Sequence, residues 1–279
     1  MKKSFMILLV GILLVGVVGV GIAFDVNRDI NVISREAGSG TRGAFIERMG
    51  IQAKTDAGTV DRTTVEAIIA NGTDVVLASV ASNPYAIGYI SLGSLNDRVK
   101  ALNVDGVAPT QENIAAGSYK VARPFNIAYK ELSTVAQDFV DFIMSAEGQA
   151  IVAGSYIPVV DGKSFTTSKP AGRIVVAGST SVAPLMEKLQ EAYATFNPNA
   201  RIEIQASGSS AGMISAIEGT SDIGMASREL SDAEKGQLNY LVIAQDGIAV
   251  IVHNDNPFEN VTAEQLKNIY IGELTKWSL

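Results

Sequence analysis

Three short segments of this sequence combine glycine with hydroxyl-bearing side chains. They are "AGSGTRGAF" from Ala37, "AGSTSVAPL" from Ala177 and "ASGSSAGMI" from Ala206. Each is typical of the turn that leads from a strand into the first turn of a helix. Helix N-termini offer free backbone N–H groups, hydroxyl caps and the positive end of the helix dipole. We therefore expect the three segments to form one anion-binding site.

Any one of these junctions could be an ordinary N-cap preceded by a tight turn. Their shared composition favours a common site, and so do the two arginines on either side of the first segment, Arg35 and Arg42. A guanidinium matches the oxygens of an oxyanion in bidentate fashion, and we expect Arg35 to make this contact. For Arg42, a ligand contact and a surface ion pair remain open.

The same segments do not form a known catalytic motif. None carries the lysine followed by serine or threonine that ends a P-loop, and none fits the GxSxG pattern of a nucleophile elbow. The sequence has no cysteine, and its one histidine, His253, follows an apolar run typical of a strand. We therefore expect a binding protein rather than an enzyme, with no catalytic residue, no cofactor and no metal site.

The N-terminal 24 residues predict a secretory signal peptide or an N-terminal membrane anchor. Two lysines precede an apolar run that ends in small residues, with a plausible cleavage site after Ala23. An uncleaved run over residues 5–24 would also be long enough to span a bilayer. We expect an extracytoplasmic protein, periplasmic or on the cell surface, and the net charge of −7 argues against nucleic-acid binding.

Beyond residue 24, short β-branched runs alternate with amphipathic runs, as in an α/β fold. A stretch with scattered Pro, Gly, Ser and Thr, over about 157–172, predicts a connector between two packed parts. The pattern predicts strands over 29–34, 74–80, 86–91, 173–178, 201–207 and 247–252, and helices over 43–50, 61–72, 133–154, 181–196, 210–219 and 262–272.

Several motifs together resemble the phosphate-binding receptors of ABC phosphate importers. They are "ISREAGSGTRGAF", "IGYISLG", "FIMSAEGQAIV", "GSTSVAPL", "GSSAG", "IEGTSDIGMASREL" and "DGIAVIVHNDNPFENVTAEQLKNIYIGELTKW". The resemblance covers nearly the whole chain after the N-terminal segment. It implies a two-lobed periplasmic-binding-protein fold, type II-like, which closes on inorganic phosphate. It also implies a monomer whose protein partners are the permease subunits of an ABC transporter.

The order of these motifs differs from that of the family. In the family the "GSTSV" segment comes first and "SREAGSGTRGAF" comes late, whereas here the second leads. We therefore predict a circular permutation, which proteins tolerate at exposed loops. It would give a composite lobe of residues 25–122 plus 246–279 and a continuous lobe of residues 123–245. The alternative is a piece of a longer tandem pair of receptors.

The resemblance also implies which residues contact the phosphate. Arg35, Ser39, Gly40 and Thr41 match on the composite lobe, and Thr180, Ser181 and Ser209 match on the continuous lobe.

Ser227 stands where the best-known family members use an aspartate to accept the proton that phosphate retains. Ala37 replaces a second aspartate beside the arginine. Ser227 can still donate to or accept from the ligand. A discriminating carboxylate would have to be Asp246 or Glu36, although Asp246 could equally be structural at the crossover between lobes. A receptor for sulfate, molybdate or tungstate therefore remains an alternative, as does a membrane-anchored phosphate sensor without a transport role.

Overall fold

The computed structural model describes residues 24–55 and 58–279. The predicted signal peptide or anchor, apart from Phe24, lies outside these residues. Among the residues that are described, none of the helices has the length and apolar character needed to cross a membrane.

The described residues form the alternating strands and helices expected of an α/β protein. The strands are β1 (Asn31–Arg35), β2 (Gln52–Thr55), β3 (Gly58–Asp61), β4 (Ile68–Ala70), β5 (Ala86–Ser91), β6 (Lys100–Ala101), β7 (Asn103–Val104), β8 (Ala122–Tyr129), β9 (Gly172–Gly178), β10 (Ala200–Ala206), β11 (Ile223–Ala226), β12 (Asn239–Val252) and β13 (Asn260–Val261). The helices are α1 (Gly40–Arg48), α2 (Thr73–Ala81), α3 (Gln111–Ala115), α4 (Thr134–Ile143), α5 (Ala146–Ala153), α6 (Ala183–Phe196), α7 (Ser209–Glu218), α8 (Asp232–Lys235) and α9 (Ala263–Tyr270).

One extended sheet organises the molecule, with strand order β10-β9-β11-β8-β12-β5-β1-β4 and β6 also beside β12. The 14-residue strand β12 is its central element. The first part of β12 pairs antiparallel with β8, up to Gly247 opposite Ala122, and its end pairs antiparallel with β5. The strand β12 therefore runs from one part of the molecule into the other.

The buried apolar side chains fall into two sets on either side of this crossing. One set comes from residues 30–121 and 248–277, and the other from residues 125–244. We keep the names composite lobe and continuous lobe for the parts of the chain around these two sets. Because each set is drawn from its own strands and helices, each lobe has a hydrophobic core that supports its share of the site.

Two neighbouring predictions are wrong. Residues 61–72, predicted as a helix, contain the three-residue edge strand β4, which pairs in parallel with β1. Residues 74–80, predicted as a strand, lie in α2. The buried residues of α2 are Thr73, Val76, Leu77 and Val80, which is helical spacing. The pairing of β4 with a distant strand outweighs the local helical pattern, and α2 then begins directly after it.

The predicted helix over 133–154 is two helices. Ser145 caps α5 by accepting a hydrogen bond from the N–H of Gly148, so the chain restarts a helix after a single turn. The connector that follows is fastened to the continuous lobe at both ends. Ile157 exchanges backbone hydrogen bonds with Gln245, and Thr167 donates to Asp138.

Candidate functional site

The hydroxyl-rich segments meet where the two lobes face each other. Thr41, in the first turn of α1 on the composite lobe, shares a 2.8 Å hydrogen bond with Ser181 of the continuous lobe. Thr73, the first residue of α2, shares a 3.2 Å hydrogen bond with the same Ser181 hydroxyl. The backbone N–H of Ser210 donates to the carbonyl of Gly38 across the same boundary, at 3.1 Å. The two lobes are therefore in direct polar contact at this point.

A second group of hydroxyls lies at the start of α7 and the end of β11. Ser179 donates to the hydroxyl of Ser227 at 2.9 Å, and the N–H of Ser227 donates to the Ser209 hydroxyl at 3.1 Å. The Ser209 and Ser227 hydroxyls lie 3.4 Å apart. Hydroxyls both donate and accept, so they can bond to each other or to an oxyanion. We call the following side chains the hydroxyl cluster: Thr41, Thr73, Ser179, Thr180, Ser181, Ser209 and Ser227.

Gly40 is required for the close approach of α1 to the continuous lobe. A Cβ atom at this position would lie 2.3 Å from the Ser209 Oγ and 2.8 Å from the Ser227 Oγ. The neighbouring Ser39 is buried and caps α1, where its hydroxyl accepts a hydrogen bond from the N–H of Arg42. The N-terminus of α1 therefore faces the hydroxyl cluster with its backbone exposed to it.

Arg35 is the buried cation beside the hydroxyl cluster, with only 1 % of its surface exposed. Its Nε and Nη2 each donate to the Glu36 carboxylate at 2.7 Å, and Nη2 also donates to Thr180 at 2.9 Å. Its Nη1 is buried and has no hydrogen-bond partner among the described residues. A buried unpaired guanidinium N–H is costly, so this atom is suited to an anionic oxygen.

Glu36 is the carboxylate that neutralises Arg35. It also accepts a hydrogen bond from the N–H of Gly72, at 3.2 Å. Burial on its own would raise the pKa of Glu36, but the hydrogen bonds and the charge of Arg35 outweigh it and hold that pKa below its usual value. Glu36 is therefore ionised at neutral pH, and it fixes the orientation of the Arg35 fork.

Arg42 lies in an ion pair at the edge of the site. Its Nη2 lies 2.7 Å from the Asp61 carboxylate, and its Nη1 donates to the carbonyl of Arg35 at 2.7 Å. Two roles were left open for Arg42, and in this structure it forms the ion pair. Its hydrogen bond to the Arg35 carbonyl also holds the end of β1.

Asp246 lies at the crossing of the lobes, behind the hydroxyl cluster. It forms an ion pair with Arg123 at 2.9 Å and accepts a hydrogen bond from Ser91 at 3.0 Å. No side chain of the hydroxyl cluster bonds to Asp246 within residues 24–55 and 58–279. These contacts match the structural role predicted for Asp246 at the crossover, and its alternative role as a ligand carboxylate stays a prediction without a supporting contact in the part of the chain that the structure describes.

Thr73, Ser179 and Arg123 are parts of the candidate site that were not predicted from the sequence. Gly72 followed by Thr73 has the same composition as the three recognised junctions, and it too begins a helix after a strand. The signal was hidden because residues 61–72 were predicted as a helix. Arg123 gave no local signal, because its partners Asp246 and Ser227 are more than 100 positions away in the chain.

Comparison with known proteins places this fold and site in a family. A model of the PBP superfamily domain matches residues 24–147 and 164–279. The phosphate-binding protein PstS 2 of Streptococcus agalactiae serotype V is 46 % identical over 291 residues, which cover 100 % of this chain and 99 % of the relative. The chain belongs to the PstS family of the PBP superfamily. Members of the PstS family are binding proteins, in agreement with the prediction of a receptor rather than an enzyme.

A solved structure of the PstS family supports the fold. The crystal structure of a phosphate-binding protein of a phosphate ABC transporter from Streptococcus pneumoniae TIGR4 is 47 % identical, covers 89 % of this chain and 98 % of that chain, and has a TM-score of 0.72. Matches that run nearly end to end give no sign of a different segment order. The comparisons therefore confirm the periplasmic-binding-protein fold and do not show the predicted circular permutation.

Proposed function

We propose that this protein is an extracytoplasmic receptor that captures inorganic phosphate between its lobes and delivers it to an ABC permease. The observation that carries the proposal is the buried Nη1 of Arg35, which has no hydrogen-bond partner in the described part of the chain and lies beside hydroxyls contributed by both lobes. Charge-assisted hydrogen bonds from a guanidinium and several hydroxyl and backbone donors are the means by which proteins hold phosphate. The relatives described above are named as phosphate-binding proteins, which supports the same ligand.

Binding of an oxyanion would replace contacts that the lobes now make with each other. The Thr41–Ser181 and Thr73–Ser181 hydrogen bonds join side chains that can each turn a hydroxyl toward a ligand oxygen. The lobes move about the two strands that cross between them, which is the hinge closure expected for a ligand held between rigid halves. Closure buries the anion among donors from both sides, and this couples binding to conformation.

Discrimination among tetrahedral anions depends on acceptors in the site. The hydroxyl cluster contains no carboxylate, and Glu36 directs its oxygens to Arg35 and Gly72. The hydroxyl of Ser227 can accept the proton of hydrogen phosphate, yet it can equally donate to sulfate. This observation makes a receptor for sulfate, molybdate or tungstate the second candidate. We favour phosphate because of the relatives.

We further propose the predicted lobe division, with residues 25–122 plus 246–279 forming one lobe and 123–245 the other, as the result of a circular permutation within the wider family. In support, the phosphate-binding protein PstS of Staphylococcus haemolyticus is 42 % identical over only 108 residues, 36 % of this chain. A permuted chain would align with a differently ordered relative in one block at a time. The rings of Phe24 and Trp277 lie 5.9 Å apart, so a reordered chain could be rejoined there.

The reordered chain tests the permutation. It would begin at Gly172, run to Leu279, and continue through a short flexible linker into residues 24–171, so that the connector and its contacts with the continuous lobe are retained. Phosphate affinity equal to that of the natural order would support the proposal, since all lobe contacts are kept. A chain that folds only in the natural order would contradict it.

Calorimetric titration of the protein with phosphate, sulfate and molybdate at two pH values tests the ligand. We expect one phosphate to bind per chain, and we expect sulfate to bind with lower affinity. Equal affinity for sulfate and phosphate would favour the second candidate. An absence of binding to all three anions would exclude a receptor for tetrahedral oxyanions. Titration of membrane vesicles that contain the permease would then separate a transport receptor from a sensor.

A further inference from the structure

A buried ion pair joins the two strands that cross between the lobes. Arg123 of β8 and Asp246 of β12 are direct partners in the antiparallel register. Arg123 donates to the Asp246 Oδ2 from Nε at 3.1 Å and from Nη2 at 2.9 Å. Arg123 is 2 % exposed and Asp246 is 1 % exposed. The pair therefore lies inside the molecule at the point where the chain passes between the two lobes.

The pair is bonded to both lobes. On the composite side, Asp246 accepts a hydrogen bond through Oδ1 from Ser91, at the end of β5. On the continuous side, the Nη1 of Arg123 donates to the backbone carbonyl of Ser227 at 3.1 Å. Ser227 directly follows β11, and its hydroxyl belongs to the hydroxyl cluster. One guanidinium therefore connects the crossing strands to the residue that carries a cluster hydroxyl.

Stability alone gives a weak reason for this arrangement. Burial raises the pKa of Asp246 and lowers that of Arg123, which means that both charges are held against a cost in solvation. A buried ion pair commonly contributes little net stability compared with apolar side chains of similar size. The planar fork of an arginine, in contrast, fixes two partners at defined positions.

We infer that Arg123 is a positioning residue for phosphate, which acts by holding the carbonyl of Ser227 and, through it, the Ser227 hydroxyl. Asp246 fixes Arg123 with respect to the composite lobe, so the hydroxyl is placed correctly when the lobes close. Within the described residues, Arg123 donates no hydrogen bond to the side chains of the hydroxyl cluster. Its effect on the ligand is therefore indirect. The inference rests on the proposed function.

Arg123→Lys separates the two contacts of the guanidinium. A lysine keeps the positive charge beside Asp246, but its single ammonium cannot span the carboxylate and the Ser227 carbonyl as the fork does. We expect phosphate affinity to fall by about tenfold, the order of one lost hydrogen bond to a charged group. Arg173→Lys is the matched control. Arg173 pairs with Glu203 on the exposed edge of the same lobe, and its substitution should leave the dissociation constant unchanged.

A double-mutant cycle with Ser227→Ala identifies the route of the effect. If Arg123 acts through the Ser227 hydroxyl, Arg123→Lys should cost tenfold in the wild type and less than about twofold in the Ser227→Ala protein. A merely structural role would weaken binding equally in both backgrounds. Phosphate dissociation constants are measured by calorimetry, and circular dichroism with thermal unfolding establishes that each variant is folded.

The outcomes distinguish this inference from the proposed function. A wild-type protein that does not bind phosphate would refute the function itself. If the wild type binds phosphate and Arg123→Lys has no effect, or if its effect is additive with Ser227→Ala, the inference is wrong. If Arg123→Lys does not fold, Asp246→Asn takes its place in the cycle. Asp246→Asn keeps the side-chain size but removes the carboxylate that holds Arg123. It should weaken phosphate binding in the wild type and have less than about a twofold effect in the Ser227→Ala protein.

Discussion

Substitution of Arg35 gives the most direct test of the site. Arg35→Met keeps most of the side-chain length and removes the guanidinium, whose Nη1 is buried and has no partner within residues 24–55 and 58–279. A hydrogen bond to a charged group contributes about 1.5–3 kcal/mol, and each 1.4 kcal/mol is about tenfold in affinity. The loss of this one contact should therefore weaken phosphate binding by about 10- to 150-fold.

The Arg35→Met variant also leaves Glu36 without its counter-charge. Glu36 now bonds to Arg35 through both carboxylate oxygens, at 2.7 Å each. In the variant its negative charge would repel the incoming anion and add to the loss. The double variant Arg35→Met with Glu36→Gln removes this repulsion, so it should bind phosphate more tightly than Arg35→Met alone, yet more weakly than the wild type.

Calorimetry near neutral pH and at constant ionic strength measures the three dissociation constants. An unchanged dissociation constant in Arg35→Met would remove Arg35 from the phosphate site. A double variant no better than the single one would show that Glu36 does not act on the ligand. Thermal unfolding of each variant provides the control for folding.

Three further predictions concern the close contact of the lobes and the charge of the site. Gly40→Ala should weaken phosphate binding by about tenfold or more, because its Cβ would lie 2.3 Å from the Ser209 Oγ. Gly43→Ala on the same helix is the control. Its Cβ would have its nearest contact at 3.7 Å, so this variant should bind phosphate normally in the same titration. Thr73→Val should cost about 2- to 13-fold in phosphate affinity by calorimetry, the range for one neutral hydrogen bond, and a wild-type dissociation constant would exclude Thr73 from the site. Glu36→Gln should lower the free energy of urea unfolding, because the folded-state pKa of Glu36 is depressed. This loss of stability is complete above the usual carboxyl pKa of 4.5 and declines as the pH falls through the lower folded-state pKa. A loss of stability that is independent of pH would contradict the role of the Glu36 charge.

The strand-to-helix junctions could be predicted from local sequence, because the start of a helix depends on a few neighbouring residues. A strand followed by glycine and a hydroxyl residue predicts both the turn and the free N–H groups, whatever the rest of the fold does. The three junctions were predicted in this way. The resemblance to the family then implied Arg35, Thr41, Ser181 and Ser209 as ligand contacts, and this role stays a prediction. Thr73 belongs to the same class and was missed through an incorrect helix prediction over 61–72.

The roles of the charged residues could not be predicted from local sequence. Arg42 and Asp246 each allowed a ligand contact or a structural pair, and the choice depends on which partner the fold brings near. Asp61 and Arg123 are those partners, and the second lies 123 positions from Asp246 along the chain. No periodicity or spacing encodes such a distance.

Local sequence was enough to predict the α/β class, the hydroxyl-bearing helix N-termini and the arginine beside them, because these follow from propensities that act within a few residues. Tertiary contacts, in contrast, determine that β4 is an edge strand and α2 a helix, that Arg35 bonds to Thr180, and that Arg123 reaches Ser227. These features depend on contacts between segments far apart in the chain, whose energies outweigh local preference once the two lobes have packed.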